Sequence, residues 1–308
     1  MPPGLRTRKA RSMAELMHRI ADGVWAYIQP DGGWMVNNMG VITGRDGSTI
    51  VDVTSTEART RAFLEAVAAV TDEPARRLVL THAHPDHCMG ASLLPDVEVI
   101  AHRGAADELR APEPPAPHIF EPFEQGDVHP RIPTVVFEDA VTITPAENPV
   151  EVRHPGGPAH TRGDSYVWLP EQRVLFAGDL VFSGGTPFAL SGSPAGWLRA
   201  LEQMARLEPE VVVPGHGPIG GVELFAPVAD YLRFVIEAAA EAHRRGLSPL
   251  EAARALDLGA FAGLLEPERI AGNLHRAFAE LDGAEPDMDA AWQDMYEYNG
   301  SHSLEVHA

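Results

Sequence analysis

Between residue 23 and about residue 213, short apolar runs bounded by turn residues alternate with stretches of helical periodicity. The runs are rich in Val, Ile and aromatic residues, a composition typical of strands. Ten strands are predicted, over residues 23–29, 35–43, 48–53, 77–81, 97–101, 134–138, 150–154, 165–169, 173–177 and 211–213. Apolar residues at spacings of three and four predict helices over 55–70 and 193–207. The alternation indicates a mixed α and β protein.

From residue 221 onward the pattern is purely helical, with helices predicted over 224–244, 249–256, 267–281 and 288–298. We therefore divide the chain into an N-terminal extension (1–20), an α/β domain (21–220) and a helical C-terminal region (221–308) that packs on the domain. The helical region holds 16 acidic residues against 6 arginines. We interpret these charges as solvated helix faces.

Two loops interrupt the alternation. Residues 111–133 contain too many prolines for a regular element, and their apolar content is compatible with a lid over a site or with a simple surface connection. A second loop, residues 183–194, is rich in glycine and proline. The candidate lid residues in and beside these loops are Phe120, Phe123, Phe188 and Trp197.

Composition excludes several classes of function. Of the 308 residues, 24 are basic and 44 acidic, so the net charge of −20 disfavours nucleic acid as a partner. Lys9, near the N-terminus, is the only lysine in the sequence, so mechanisms that need an interior lysine are excluded. Cys88 is the only cysteine, so the chain cannot form an internal disulfide. Because neither a secretion signal nor an apolar run of membrane-spanning length is present, we expect a soluble cytoplasmic protein without a membrane partner.

The strongest candidate for chemistry is the motif His82-x-His84-x-Asp86-His87, which follows a predicted strand directly. Imidazole nitrogens and carboxylate oxygens are both good ligands for Zn²⁺. Residues 82 and 84 alternate along the chain and so point the same way. The bend at Pro85 lets Asp86 and His87 face a second metal position. The motif therefore predicts a metal site.

Three further residues occupy similar positions. His160, Asp179 and His216 each follow a predicted strand, and each has a glycine nearby in the sequence. A rigid sheet delivers polar side chains to a cleft at such places, and glycine lets the backbone turn sharply there. The shared setting favours three additional metal ligands.

These seven residues carry a resemblance to the metallo-β-lactamase-fold hydrolase superfamily, which covers roughly residues 22–220 of this chain. The resemblance implies a four-layer αβ/βα sandwich as the catalytic domain. It implies two metal ions, taken as Zn²⁺ with iron or manganese as alternatives. One metal would be bound by His82, His84 and His160, the other by Asp86, His87 and His216, and Asp179 would bridge both.

Branches of the superfamily differ at residues that this chain shows. His84 stands where flavodiiron proteins have glutamate, and Asp179 occupies a position at which one class of β-lactamases has a cysteine ligand. The chain most resembles hydrolases of the glyoxalase II and lactonase type. Within that type it is similar to thioesterase/cyclases of aromatic polyketide pathways, which share stretches like HTRGD (160–164) and LPEQRVLFAGD (169–179).

We therefore expect a dinuclear zinc hydrolase in which a metal-bridged hydroxide attacks a thioester or lactone carbonyl. Asp86 and Asp179 are the predicted catalytic residues, since both hold metal and Asp86 also orients the nucleophile. The expected substrate is a small-molecule or carrier-protein-bound acyl group, with a homodimer possible. The alternatives are an iron-dependent persulfide dioxygenase-like enzyme, a β-lactam hydrolase, or an acidic binding module with a structural metal.

Three polar residues are candidates for supporting roles. Asp52, at the end of a predicted strand, either hydrogen-bonds a ligand imidazole or caps a turn. Asn37 and Asn38 either line the cleft or cap a hairpin, and the cap is the interpretation that we favour. Cys88, next to His87, is predicted to be a small packed residue.

Overall fold

The computed structural model describes residues 16–29, 32–112, 114–144 and 149–308. Its first sheet has seven strands in chain order. They are β1 (Met17–Ala21), β2 (Val24–Tyr27), β3 (Met39–Ile42), β4 (Ser48–Val51), β5 (Ala75–Val79), β6 (Glu98–His102) and β7 (Val135–Phe137). The first four strands form an antiparallel meander. Strands β4 to β7 are parallel, with α1 (Glu57–Val70), α2 (Pro85–Cys88) and α3 (Arg103–Arg110) in their connections.

The second sheet has five strands in the order β12-β11-β10-β9-β8. They are β8 (Ala140–Ile143), β9 (Val150–Arg153), β10 (Tyr166–Leu169), β11 (Val174–Phe182) and β12 (Val211–His216). Only β11 and β12 are parallel, and the helix α4 (Pro194–Ala205) connects them. The parallel strands carry or lead into six of the seven candidate ligands, whereas His160 follows the antiparallel strand β9.

The two sheets face each other across an apolar core. Val24 and Val79 of the first sheet share this core with Val152 and Phe176 of the second. At Gly40 the contact is so close that a Cβ atom would lie 2.4 Å from the Phe176 ring, so only glycine fits there. Separate apolar clusters lie under α1 on one outer face and under α4 on the other. The predicted four-layer αβ/βα sandwich is thus confirmed.

The predicted helical C-terminal region is also present. It comprises α5 (Phe225–Arg244), α6 (Pro249–Ala255), α7 (Arg269–Asp282) and α8 (Met288–Tyr298). These helices form an apolar core that also takes in Trp34 and Phe188 from loops of the sandwich. Val228 and Leu232 of α5 pack in the cluster beneath α4. Within the described part of the chain, no helix is long and apolar enough to cross a membrane.

Most strand ends shift by one or two residues from the prediction, and larger differences occur at β1, at β8, at residues 35–38 and at the ends of β11 and β12. The first strand, β1, begins within the predicted extension, and residues 1–15 of that extension lie outside the described residues. The strand β8 has no counterpart among the predicted strands. Both strands are short and partly exposed, so their apolar signal is weak. Residues 35–38 form a turn rather than strand. β11 and β12 run on to Phe182 and His216 because their pairing absorbs Gly178 and Pro214 as irregularities in register.

The proline-rich segment 111–133 is fixed to the body of the protein at several points. The main-chain N–H of Glu57, at the start of α1, donates to the carbonyl of Gln125 at 2.8 Å. The Arg131 guanidinium donates to the carbonyl of Val97 at 3.0 Å. Ile119 and Glu121 exchange main-chain hydrogen bonds with Leu304 near the C-terminus. These contacts support a fixed surface connection rather than a lid.

Candidate metal centre

The structure brings all seven predicted ligands together as two adjoining groups. One group is His82, His84, His160 and Asp179, and the other is Asp86, His87 and His216. Within each group the ligand atoms lie within 4.8 Å of one another. These two groups are candidate metal-binding sites of the kind that a dinuclear centre requires.

Asp179 lies between the two groups. Its Oδ2 atom is 3.4 Å from Nε2 of His160 and 3.2 Å from Nε2 of His216. Its Oδ1 atom is 3.0 Å from Nε2 of His87. This carboxylate therefore reaches ligands of both groups, which is the arrangement that the bridging role predicts.

The motif between β5 and α2 is positioned by a single helical turn. Pro85 is the first residue of this turn, where its missing N–H costs nothing, and His84 is the residue before it. Asp86 and His87 lie within the turn and are both buried. The predicted bend at Pro85 is thus the start of a short helix, which turns these two side chains towards the second group.

Asp179 and His216 lie on the neighbouring parallel strands β11 and β12. The residue before His216 must be glycine, since a Cβ atom at Gly215 would lie 1.9 Å from Oδ1 of Asp179. The Gly178 backbone, with φ +51°, forms the irregularity that precedes Asp179. The predicted link between glycine and the ligands therefore has a steric cause.

Asp52 orients two of the imidazoles. It directly follows β4, is 2% exposed, and its Oδ2 accepts a hydrogen bond from Nδ1 of His87 at 2.8 Å. The Thr81 hydroxyl donates to the same oxygen at 2.7 Å and lies 3.1 Å from Nδ1 of His82. Protons held on these Nδ1 atoms leave both Nε2 atoms free to bind metal. The structure thus supports the ligand-orienting role of Asp52 over the turn cap.

The other sheet orients its imidazoles through main-chain carbonyls. Nδ1 of His160 donates to the carbonyl of Phe188 at 2.5 Å, and Nδ1 of His216 donates to the carbonyl of Gly32 at 3.1 Å. The Nε2 atoms again face the site. His84 differs from these, because its Nδ1 is the atom that lies 2.8 Å from Nε2 of His160.

The favoured interpretation of Asn37 and Asn38 as hairpin caps accounts for only part of their contacts. Oδ1 of Asn38 does accept the N–H of Gln29 across the β2–β3 connection at 3.1 Å. Both side chains are buried, so their amide groups must find partners inside the protein. Nδ2 of Asn38 donates to the carbonyls of Pro214 and Gly217, on both sides of His216. Nδ2 of Asn37 donates to the carbonyl of Val53 at 2.8 Å. Asn38 therefore ties the first sheet to the turn that carries His216.

The donor set fits a metal. Nε2 of His82 is buried and has no hydrogen-bond partner, and Nε2 of His87 and Oδ1 of Asp179 are buried 3.0 Å apart without a well-aligned hydrogen bond to any group. Buried polar atoms that lack partners are costly, and three of them converging at one place need an explanation. Imidazole nitrogen and carboxylate oxygen are ligands that suit zinc, and no sulfur ligand is present among the seven.

The two groups differ in their electrostatics. Burial and the neighbouring His84 lower the pKa of His160 to about 3, which keeps its imidazole neutral. Burial also disfavours the charged form of His216, but Asp179 and Asp86 outweigh burial and raise its pKa to about 9. In this second group, protons occupy positions that a cation would take.

Access to the centre is from one side. His84 is partly exposed and Asp86 is 8% exposed, whereas none of the other five ligands exceeds 4%. The candidate ligands and the solvent therefore meet along the edge formed by these two residues.

Two of the candidate lid residues belong to the core instead. Trp197 is fully buried beneath the ligands, with its ring centre 5.4 Å from that of His160 and its Nε1 donating to the carbonyl of Leu180. Phe188 packs edge-on against Trp34. Phe120 also packs against Trp34, and Phe123 is half-buried. The apolar character of these residues reflects packing.

Cys88 is a buried small residue, as predicted.

A second layer of side chains, which no sequence motif signals, lies behind His216. The ring of Phe182 stacks on that of His216, with centres 5.0 Å apart and planes 3° apart. The guanidinium of Arg269, which is 2% exposed, lies 4.0 Å from the Trp34 ring and 5.4 Å from that of Phe182. Arg269 also forms an ion pair with Glu266. No local motif marks these residues, because they meet only through the fold.

Comparisons with known proteins agree with this geometry. The chain is 26% identical over 223 residues to a metallo-β-lactamase type 2 of Bacillus sp. (strain 170), covering 70% of this chain and 81% of the relative. It is 28% identical over 200 residues to a hydroxyacylglutathione hydrolase of Methylobacterium sp. (strain 4-46), covering 63% and 68%. A solved metallo-β-lactamase from Pontibacter korlensis superposes with a TM-score of 0.58 at 21% identity, covering 70% of this chain and 98% of that one.

The family model described as the Metallo-beta-lactamase superfamily matches residues 32–216, which is more than half of the chain and includes all seven ligands. On this match, together with the two ligand groups, the protein belongs to the metallo-β-lactamase superfamily of metal-dependent hydrolases.

Proposed function

We propose that the protein is a dinuclear zinc hydrolase that cleaves a thioester or lactone. The observation that carries the proposal is the convergence of five imidazoles and two carboxylates on one partly open centre. Structural zinc sites are normally closed by four ligands, whereas catalytic sites keep positions open. Seven ligands shared between two ions favour the catalytic alternative over a binding module with a structural metal.

The residues of this chain have distinct parts in that reaction. Bound zinc supplies Lewis-acid polarisation of the carbonyl and lowers the pKa of water at the site. Asp179 joins the two groups, and Asp86, which is 3.3 Å from Nε2 of His216 and 8% exposed at the edge of the centre, orients the attacking water. Asp52 keeps His82 and His87 in the tautomers that leave Nε2 free.

Two considerations support a thioester or lactone as substrate. Relatives include hydroxyacylglutathione hydrolases from two organisms, one of them 31% identical over 143 residues. A thiolate also leaves without prior protonation, so no separate general acid is needed. The finer proposal of a polyketide thioesterase/cyclase rests on the resemblance of the stretches 160–164 and 169–179. A carrier-bound acyl chain and a homodimer remain part of that proposal.

Hydrolysis of a β-lactam is the second candidate. It is favoured by three relatives named metallo-β-lactamase type 2, which are 24% to 26% identical to this chain. The ligand set argues against this candidate. One class of β-lactamases has a cysteine ligand at the position of Asp179, whereas here a carboxylate oxygen reaches both groups. The persulfide dioxygenase alternative predicts one iron instead of two zinc ions.

One experiment separates these functions. Elemental analysis of purified protein is followed by a hydrolysis screen with thioesters, lactones and β-lactams, using His160→Ala as the inactive control. We expect two zinc ions per chain and turnover of a thioester or lactone that His160→Ala abolishes. Turnover of β-lactams alone would replace the first candidate with the second. A single iron with oxygen uptake would overturn both.

A further inference from the structure

The loop of residues 32–34 carries one of the main-chain carbonyls that orient the metal ligands. Its Gly32 carbonyl accepts the Nδ1 proton of His216 at 3.1 Å. This hydrogen bond leaves Nε2 of His216 facing Asp86 and Asp179. The orientation of His216 therefore depends on where the loop is held.

Trp34, at the end of this loop, is bound at each of its polar groups by the helical C-terminal region. Its main-chain N–H donates to Oε1 of Glu266. Its indole Nε1 donates to Oε1 of Glu268 at 2.7 Å, and its carbonyl accepts the N–H of His307 at 3.1 Å. The loop is thus held from outside the two sheets, by a part of the chain that contains none of the seven ligands.

The backbone of Glu266 is unfavourable on its own. Its φ is +59°, in the left-handed region that residues with a side chain seldom occupy. Such a conformation persists only where the surrounding structure determines it. Here the N–H of Leu265 donates to the carbonyl of Gly184 at 3.1 Å, and its carbonyl accepts the N–H of Thr186 at 3.0 Å. The fold thus keeps Glu266 in a conformation that directs its carboxylate to the loop 32–34.

The loop packs its main chain directly on that carboxylate. A Cβ atom at Gly33 would lie 2.9 Å from Oε1 of Glu266 and 2.7 Å from the ring of His307. Because both contacts are this close, a displacement of the Glu266 carboxylate displaces the loop as well.

Arg269 fixes the carboxylate of Glu266 and balances its charge. The guanidinium is 2% exposed and forms an ion pair with Glu266, so each buried charge depends on the other. The guanidinium also donates to the carbonyl of Thr186 at 2.8 Å, in the loop that orients His160. The ion pair therefore ties the loop that orients His216 to the loop that orients His160.

We propose that Glu266 is a positioning residue for the metal ion of the second group. With its charge balanced by Arg269, it holds the N–H of Trp34, so that the Gly32 carbonyl stays at Nδ1 of His216 and Nε2 stays directed into the centre. The inference rests on the dinuclear centre of the proposed function and is independent of the substrate. An ion pair that only attached the helical region would leave the affinity for this second ion unchanged.

Zinc titration of the full chain against a competing chromogenic chelator gives the affinities for both ions. Glu266→Gly removes the carboxylate and suits the left-handed backbone, and should weaken binding of the second ion by at least about tenfold, as the loss of a group that holds a ligand in place does. Glu266→Gln keeps an acceptor for the Trp34 N–H and should retain most of the wild-type affinity. Glu208→Gly is the matched control, because Glu208 also has a left-handed backbone, with φ +50°, but is exposed. It should change neither affinity.

Two further variants separate positioning from general destabilisation. His216→Ala leaves the ion of the first group, and adding Glu266→Gly to it should not lower the affinity for that ion further. Gly33→Ala tests the contact from the loop, because its Cβ would collide with the Glu266 carboxylate, and it should also weaken binding of the second ion. If Glu266→Gly does not fold, Gly33→Ala decides, and unchanged affinity in that variant overturns the proposal.

Three other results would overturn it. The first is wild-type affinity for both ions in Glu266→Gly. The second is an equal loss in Glu266→Gln, which would assign the effect to the unpaired charge of Arg269. The third is a further loss when Glu266→Gly is added to His216→Ala. These results leave the proposed function standing, whereas wild-type protein that bound fewer than two zinc ions would overturn that function and this inference together.

Discussion

The two halves of the metal centre hold their imidazoles by different means. On the side of the seven-stranded sheet, one carboxylate, Asp52, orients His87 directly and His82 through the Thr81 hydroxyl. On the side of the five-stranded sheet, main-chain carbonyls orient His160 and His216. The orientation of the imidazoles therefore depends on a single side chain in the first half. In the second half it depends on the positions of the loops that carry the two carbonyls.

That difference extends into the helical region. The carbonyl that orients His160 belongs to Phe188, in a loop held by Asn273 of α7. Oδ1 of Asn273 accepts from the N–H of Ala189 at 2.7 Å, and its Nδ2 donates to the carbonyl of Pro187 at 2.8 Å. The guanidinium of Arg269 donates to the carbonyl of Thr186 at 2.8 Å. The C-terminal helices thus position a metal ligand without contributing one.

The largest effect is expected where the two halves meet. Asp179→Ala removes the one carboxylate that reaches both groups, so metal content and hydrolysis should fall together to the detection limit. Elemental analysis and turnover assays measure this, and circular dichroism checks that the variant is folded. A variant that retained two metal ions and full turnover would show that the halves function independently.

The carboxylate-dependent half is tested by Asp52→Ala. Loss of the partner of a ligand imidazole typically costs 10- to 100-fold in metal affinity, and we expect about that loss here. Competition with a chromogenic chelator measures the affinity. Asp46→Ala removes an exposed aspartate that pairs with Arg77 and is the control. Unchanged affinity in Asp52→Ala would mean that the strands alone fix His82 and His87.

The carbonyl-dependent half is tested by Asn273→Ala. Removing this buried amide leaves main-chain groups of the 187–189 loop without partners, at a cost of about 1–3 kcal/mol in the free energy of unfolding. Metal affinity should fall by up to about tenfold, because the Phe188 carbonyl shifts.

Leu274→Ala distinguishes two causes of a lower metal affinity, which are the loss of positioning by Asn273 and general destabilisation of the helical region. Leu274 is fully buried next to Asn273 in the sequence, and its truncation should destabilise the fold by about 2–5 kcal/mol. It leaves the side-chain hydrogen bonds to the loop intact, so metal affinity should hold. If both variants lose affinity equally, general destabilisation of the helical region is the explanation, and positioning by Asn273 is not.

The smallest effect concerns a histidine pair away from the ligands. The rings of His102 and His154 stack with centres 3.8 Å apart. Burial, followed by the neighbouring His154, lowers the pKa of His102 to about 4. The unfolded chain, with a pKa near about 6.5, binds more protons than the folded chain between these values. Stability should therefore fall as the pH drops from about 6.5 towards 4.

His102→Asn provides the comparison, because asparagine can still accept the hydrogen bond from the N–H of Gly104 that caps α3. Urea unfolding of both metal-loaded proteins at pH 7 and pH 5 measures the change in the free energy of unfolding. The variant should lose less stability between these pH values than the wild type. Equal losses would assign the acid sensitivity to the metal ligands instead.

Much of the fold could be read from the chain because its signals are local. The buried strand β10 is a continuous apolar run and β11 is largely apolar, and the C-terminal helices keep regular apolar spacing. The short, partly exposed β1 and β8 lack that signal. Trp197 and Phe188 were misplaced for a related reason, since an apolar residue has the same pattern whether it lines a cleft or fills a core.

The sequence by itself determined which side chains are the candidate metal ligands, because ligand chemistry and its position at strand ends are written in short segments such as 82–87. Only the tertiary structure decided which atoms orient these side chains and which oxygen of Asp179 faces each group. It also brought the side chains of Trp34 and Glu268 into a hydrogen bond from positions 234 residues apart. Such contacts depend on how sheets and helices pack, and a chain of residues shows no sign of them until it folds.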